Sequence, residues 1–395
     1  MLTVFRTFFC VNTTNHNLIV YKIKMNIPPF GVNTIFITQK LGGMIMKNTI
    51  KLERPVYIVA SAAAVGHEES CGPLGDTFDI AVRGDDFFGQ DTWEKAEAEL
   101  LRLALSEALS KSLICDGEID LILSGDLLNQ CISSAYGLCG FQTPFVGLYG
   151  ACSTAAEGLM LASLLCSAYS LRAASSTSSH NASAERQFRA PLEYGGQRPP
   201  TAQWTVTGAG AFVVSCNKKD ALKASSGEDL YVPEIIEVTP GRIVDAGIND
   251  ANNMGAAMAP AAADTLCRYF DEGGALPSLI LTGDLGFEGS EILKDIMKAR
   301  DRDISSLHAD CGLMIYDREG QDKHAGGSGC GCSASVLAAS VMKNIRSGAL
   351  SDILFIGTGA LMNSMSIQQG MDIPSIAHLV HIRGAEIGGE DREND

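Results

Sequence analysis

Cys152 stands in Gly150-Ala151-Cys152-Ser153-Thr154, at the head of the small and apolar run Ala155 to Ala168. A cysteine at a helix N-terminus has its thiolate stabilised by the helix dipole and by unpaired backbone N–H groups, which lowers its pKa and makes it a nucleophile. The same residues also suit a small buried thiol at a strand-to-helix turn. A second concentration of chemistry follows. Arg186, Arg189 and Arg198 fall within a stretch that also holds Gln187, Tyr194 and Gln197, with Trp204 just beyond it. The planar guanidinium fork matches a carboxylate in bidentate fashion, so such a block can clamp an anionic ligand. Glu185, Arg186, Arg189 and Glu193 equally suit a solvated helix face with weak surface pairs. His180, between Ser179 and Asn181, is open to two readings, a site group or a satisfied core histidine. Asp76, Asp79, Asp85 and Asp86 lack the alternating ligands of a calcium loop. Cys330-x-Cys332 has no second Cys/His pair at zinc spacing, so no metal or cofactor is expected.

The elements that must position these residues come in two copies. Leu121-Ile122-Leu123-Ser124-Gly125-Asp126-Leu127 recurs as Leu279-Ile280-Leu281-Thr282-Gly283-Asp284-Leu285. Gly150-Ala151-Cys152-Ser153-Thr154 is echoed by Gly331-Cys332-Ser333-Ala334-Ser335. The order is the same and the spacing similar, which reads as one α/β unit duplicated and diverged. In the first copy, strands are expected at Val56 to Ala63, Ile119 to Leu123 and Pro144 to Tyr149. A helix capped by Asp91-x-x-Glu94 and the buried helix Ala155 to Ala168 lie among them, and the Gly-rich strand pair Thr205 to Ser215 closes the copy. Asn217 to Asp229 reads as a surface loop. The second copy repeats the programme with strands Ile235 to Val238, Leu279 to Leu281, Cys311 to Tyr316, Ile353 to Gly357 and Ala377 to Ile382, and helices Ala256 to Phe270, Ser290 to Ala299 and Ser333 to Ser347. Alternating strands and helices imply parallel pairing with right-handed crossovers.

Composition narrows the function. The chain has 395 residues, of which 46% are hydrophobic, enough to bury a large core. A net charge of −16 excludes nucleic acid as an expected partner, because phosphate binding needs clustered Lys and Arg. The twelve cysteines have no framework spacing, and Cys139, Cys166, Cys216 and Cys267 sit in apolar or small-residue runs that suit free buried thiols of a reducing compartment. The first 52 residues carry six Lys or Arg and no acidic residue. Residues 1–45 are therefore read as an extension, either upstream sequence ahead of a start at Met46 or a disordered basic tail. Residues 46–229 and 230–384 form the two halves, and 385–395 a charged, disordered tail.

Duplicated α/β halves with a Cys at the head of a buried helix resemble the thiolase and ketoacyl synthase superfamily. Within it, the chain resembles the stage V sporulation protein AD (SpoVAD) family of spore-forming bacteria. The blocks that carry this are Gly125 to Gln130, Gly150 to Thr154, Ser178 to Arg189, Glu193 to Pro199, Thr205 to Gly208, Met258 to Thr265, Ala325 to Cys330 and Ile373 to His378.

The resemblance implies an α/β thiolase-like fold in α-β-α-β-α layers, pairing as a homodimer through a first-half strand edge. It also implies binding of dipicolinic acid (pyridine-2,6-dicarboxylate), free or as its calcium chelate, and a part in its uptake into the developing spore. Other SpoVA membrane proteins would be its partners at the spore inner membrane, with this cytoplasmic-type soluble protein associated peripherally. Asn129, Cys152, His180, Arg186, Arg189, Gln197, Arg198, Thr205 and Thr207 are the expected ligand-binding set. Condensing enzymes of the superfamily also place a His after the strand matching Leu279 to Leu281, and a His or Asn at the Gly-rich turn. This chain reads Gly283-Asp284-Leu285-Gly286-Phe287 and Gly327-Ser328-Gly329-Cys330 there. A non-catalytic binder is therefore expected, with Cys152 a vestigial nucleophile. An active acyltransferase using Cys152, or a scaffold with an empty pocket, are the alternatives.

Overall fold

The computed structural model describes residues 4–13, 16–27, 31–40, 48–189 and 198–387. Two compact units are present, Met1–Lys47 and Asn48–Asp395. In the first, β1 (Val4–Thr13), β2 (His16–Ile27) and β3 (Gly31–Lys40) pair antiparallel in order. Their Val, Ile, Thr and Phe content favours extended backbone.

In the second unit, β4 (Ile50–Val65), β5 (Leu121–Gly125), β6 (Phe145–Gly147), β7 (Arg172–Ser179) and β8 (Gly208–Ser215) form the first-half sheet. Its order is β6-β5-β7-β8-β4. The second half has β9 (Tyr231–Thr239), β10 (Leu279–Thr282), β11 (His308–Asp310), β12 (Asp352–Ala360) and β13 (Ser375–Glu386), in the order β11-β10-β12-β13-β9. Numbered within each half, both sheets read 3-2-4-5-1. In both, strand 2 is parallel to its two neighbours and strand 5 antiparallel to its own. The duplication suggested by the repeated Ser/Thr-Gly-Asp-Leu segments is therefore a duplication of topology. β4 joins the halves: Ile50 to Tyr57 pair with β9, and Tyr57 to Val65 with β8.

Burial along the strands explains the layers. Val56 and Ile58 of β4 face one core, Tyr57 and Val59 another, as a pleat of period two requires. Ile353 and Phe355 of β12 join the same central core as Val56, while Leu354 and Ile356 face outward to a third. The central core takes α2 (Thr154–Tyr169) and α6 (Cys330–Val336) between the sheets. α1 (Trp93–Ser112) covers the outer face of the first sheet, and α4 (Met254–Asp271) and α5 (Gly286–Lys298) that of the second. These are the expected α-β-α-β-α layers. α2 can lie between two sheets because its residues are small: a Cβ on Gly158 would fall 2.3 Å from Ser175 Oγ. Ala151–Tyr169 is long and apolar enough to cross a membrane, yet 67% of that window is buried inside the protein, as befits a core helix.

Several local expectations are corrected. Cys311–Met314 is a helical turn; the strand is β11, ending at Asp310. Asp310 accepts from the backbone N–H groups of Leu285 and Gly286, so the chain turns there, and a short apolar run does not distinguish strand from buried helix. Lys218–Ala224, read as loop, is a helix capped by Asn217, whose Oδ1 accepts from Lys219 N. α1 is capped by Thr92 rather than Asp91, which pairs with Lys95 instead. Only Trp204–Thr205 and Gly208–Ser215 of the expected Thr205 to Ser215 pair are strands, and they belong to different sheets. β13 runs to Glu386, past the boundary placed at 384, because it pairs with β9 as far as Tyr231. Cys139 is exposed, lying just beyond a short helix, while Cys166 and Cys267 are buried.

Candidate functional site

Both repeats end at the same pole. Asp126 and Asp284 follow β5 and β10, and Cys152 and Cys330 head the two central helices. The relation is crossed. Cys152, from the first half, lies in the field of Asp284 of the second. Cys330, from the second half, lies in the field of Glu97 and Asp126 of the first.

The turn into α2 is tight. Ala151 has φ 51°, a left-handed conformation that Cβ opposes, and Ser153 Oγ and Thr154 Oγ1 bond back to the carbonyls of Gly150 and Ala151. The thiol this turn presents is not activated. Burial pushes the Cys152 pKa well above its ordinary value, and the Asp284 carboxylate pushes it further the same way, outweighing the opposing effect of the Gly329 backbone N–H. Asp284 is fully buried, with Gly329 N–H on Oδ2 at 2.8 Å and Thr358 Oγ1 on Oδ1 at 2.9 Å. Gly329 can aim that N–H because its φ of 104° suits glycine, and a Cβ there would fall 2.7 Å from Ser179 Oγ. Burial raises the Asp284 pKa to about 6, against hydrogen bonds from Gly329 and Thr358.

Above Cys152 opens a cavity of about 350 Å³. Its apolar walls are Leu127, Tyr149, Ala184, Phe188, Met254, Leu361 and Met362. Polar groups come from both halves: Asn129, Glu185, Thr205 and Asp126 from the first, Ser328 and Asn363 from the second. Thr205 and Ser328 are brought together by parallel pairing of Trp204–Thr205 with Gly327–Ser328. Phe188 and Glu185 come from α3 (Asn181–Arg189). Asn363 caps α7 (Ser364–Gln368), accepting from Ser366 N at 2.8 Å. Tyr149 Oη donates to Asn129 Oδ1 at 3.1 Å. Among the described residues no Lys, Arg or His lines the cavity.

Of the residues expected at the site, Asn129, Cys152 and Thr205 therefore line one cavity. Arg198 stands behind the wall. Its Nη2 lies 2.8 Å from Glu185 Oε1, its Nη1 donates to the Gln203 carbonyl, and its guanidinium stacks 4.5 Å from the Trp204 ring. Arg186 points outward and pairs with Glu94. His180 is a satisfied core histidine: Nε2 donates to the Asp86 carbonyl at 2.8 Å, Nδ1 accepts from Ala182 N, and Trp93 packs 5.2 Å away. Burial lowers its pKa, in keeping with an Nδ1 that accepts. Thr207 is buried, accepting from Asn181 N. Gln197 and the Arg189 side chain lie outside the described residues.

Sequence reasoning missed Asp284 as the carboxylate whose field reaches Cys152, although the Gly283-Asp284 repeat of Gly125-Asp126 placed a carboxylate at this pole. Nothing in the sequence marked Tyr149, Met254 or the segment Ala360 to Asn363, which only folding brings to Cys152. Among the described residues no group of His, Cys, Asp and Glu could hold a metal ion.

Two α/β halves of one topology, with a cysteine heading a helix sandwiched between their sheets, define a thiolase-like protein. The chain is similar to human mitochondrial 3-ketoacyl-CoA thiolase in complex with CoA, at a TM-score of 0.53 and 12% identity over 85% of this chain and 99% of that one. It is also similar to a point variant of Xanthomonas campestris OleA, at a TM-score of 0.52 and 14% identity over 85% and 99% of the two chains. At such identities the likeness shows the fold alone. Residues 46–383 match the family Stage V sporulation protein AD (SpoVAD). The Stage V sporulation protein AD of Bacillus subtilis (strain 168) is 43% identical over 336 residues, 84% of this chain and 95% of that one. The chain belongs to the SpoVAD family.

Proposed function

We propose that this protein is a non-catalytic binder of dipicolinic acid, free or as its calcium chelate, that supports the acid's uptake into the developing spore. It would act as a homodimer, held peripherally at the inner membrane by the SpoVA membrane proteins. The observation that carries the reading is the cavity over Cys152. Its volume suits a single small ring compound, and its apolar walls form a slot with polar groups on several sides. Glu185 is neutralised by Arg198, and burial raises the Asp126 pKa against the hydrogen bonds it accepts from Ser134 and Leu128. Asn129, Tyr149, Thr205, Ser328 and Asn363 can then supply hydrogen bonds to two carboxylates, with Arg198 one side chain behind. A thiol whose pKa burial raises, in a lining without His or Lys among the described residues, supports binding over acyl transfer.

Calorimetric titration tests this. Dipicolinate should bind saturably at one site per chain, and pyridine-2-carboxylate at least about tenfold more weakly, a difference of only about 1.4 kcal/mol. Equal affinity for the two acids would sink the two-carboxylate pocket. Absence of any saturable heat would leave a scaffold, and turnover of acyl-CoA donors would leave an enzyme.

A further inference from the structure

Gln187 stands on α3 just before Phe188 and does not itself line the cavity. Its carboxamide nevertheless grips the wall twice: Nε2 donates to the Leu127 carbonyl at 2.8 Å, and Oε1 accepts from Asn129 N–H at 2.9 Å. We propose that Gln187 is a positioning residue of the binding site, which ties the turn Leu127 to Cys131 to α3 and so presents the Asn129 side chain to a ligand in the cavity. This role presupposes the binding reading above, and it belongs to a residue behind the wall rather than in it.

The turn needs such a hold. Gln130 has φ 64° and Cys131 φ 49°, two successive left-handed residues that each carry a Cβ. Backbone in that region persists where its surroundings over-determine it. Asn129 and Gln130 are exposed, so burial does not hold them. Hydrogen bonds must. From the strand side, Asp126 Oδ1 accepts from Leu128 N at 2.8 Å, and Cys131 Sγ donates to the Leu148 carbonyl at 3.1 Å. From α3, the side chain that reaches the turn is Gln187. A carboxamide suits this place because it carries a donor and an acceptor side by side, matching a carbonyl and an N–H two residues apart. Tyr149 Oη donates to Asn129 Oδ1 at 3.1 Å, so the Nδ2 group is the donor that a ligand carboxylate would use. The same helix α3 brings Ala184, Glu185 and Phe188 into the wall, and Leu127 packs in one cluster with Ala184 and Phe188. The Gln187 bridge thus sets how two parts of the wall meet.

Calorimetric titration of the full-length protein with dipicolinate, run as a double-mutant cycle, tests this. Gln187→Met keeps the length of the side chain and loses both hydrogen bonds. It should weaken affinity at least about tenfold while the unfolding midpoint stays close to that of the native protein. Asn129→Ala should weaken binding too, and adding Gln187→Met to it should cost less than about twofold more, because the group that Gln187 positions is gone. A residue that only stabilised the fold would cost the same in both backgrounds. Unchanged affinity in Gln187→Met, or equal losses in the two backgrounds, overturns the proposal. If Gln187→Met fails to fold, Gln187→Glu takes its place: it keeps the acceptor for Asn129 N–H and sets a carboxylate oxygen against the Leu127 carbonyl, and the same outcomes apply. Native protein without saturable heat would instead end the dipicolinate reading. Amide exchange then decides the bridge by itself. The segment Leu127 to Cys131 should exchange at least about tenfold faster in the Gln187 variant than in native protein, and equal exchange overturns the proposal.

Discussion

Arg198 Nη2 lies 2.8 Å from Glu185 Oε1, and both side chains are more than four-fifths buried. A carboxylate in the cavity wall and the cation behind it thus form one neutral unit. The polar block that looks like a cationic clamp in one dimension reaches the wall, over its described residues, as an ion pair.

Breaking that pair leaves a buried charge alone. Arg198→Ala should destabilise the protein by about 3 kcal/mol, the usual cost of removing one partner of a buried pair. Glu185→Leu with Arg198→Met should recover most of the loss. Thermal unfolding of the single and double variants checks this, and a double variant as unstable as the single would show that the cost lies in packing. Arg198→Ala should also weaken dipicolinate binding.

Arg186 is the contrast. Its pair with Glu94 is exposed, so Arg186→Ala should change stability by less than about 1 kcal/mol and leave dipicolinate affinity unaltered. A tenfold loss of affinity would show that Arg186 turns inward when ligand is present.

Cys152→Ser keeps a small side chain of nearly the same volume at the cavity floor. Fold and ligand binding should survive, with at most about 1 kcal/mol lost in unfolding experiments. After incubation with acyl-CoA donors, native protein should show no acyl group on Cys152 by mass spectrometry; a stable adduct would reinstate the acyltransferase reading.

Glu97 supplies a pH signature. Its carboxyl lies 2.6 Å from Ser183 Oγ and 3.2 Å from Ser178 Oγ, and burial, aided by Asp126, pushes its pKa up to about 8. The folded state therefore keeps a proton that the unfolded chain releases near pH 4.5. This stabilisation is complete below the unfolded value and is lost as pH rises through about 8. Burial also raises Glu69 and Asp310 to about 7, in the same direction. The buried histidines His308 and His378, lowered to about 4, are neutral in both states above pH 7 and add nothing there. Unfolding midpoints should thus fall from pH 7.5 to 8.5, and Glu97→Gln should flatten part of that fall. An identical slope in the variant would mean that Glu97 titrates normally.

β6 is the outer strand of the first-half sheet, with Phe145 and Val146 exposed. An unpaired edge carrying exposed apolar side chains is a template for a second copy across a two-fold axis. The purified protein should have a dimer mass by light scattering, and Val146→Lys should yield monomer. A native monomer at micromolar concentration would refute this interface.

The sequence alone determined the plan of the molecule: two α/β copies, the small-residue helix headed by Cys152, and the pole where Gly125-Asp126 and Gly283-Asp284 end their strands. These are legible because periodicity and repetition are local properties, written in consecutive residues. Element ends were less so. Asn217 and Thr92 cap helices where a loop and a different cap were expected, since one hydrogen bond from a neighbouring backbone decides each. The site itself was decided by tertiary structure. His180 is withdrawn from it by the Asp86 carbonyl, far away in sequence, and Arg198 by the Glu185 carboxylate. Thr358 reaches Asp284, and Asp284 the field of Cys152, only because two sheets close on one helix layer. Whether a charged or nucleophilic group is free depends on what stands within about 3 Å of it, and residue types along a chain do not encode that distance.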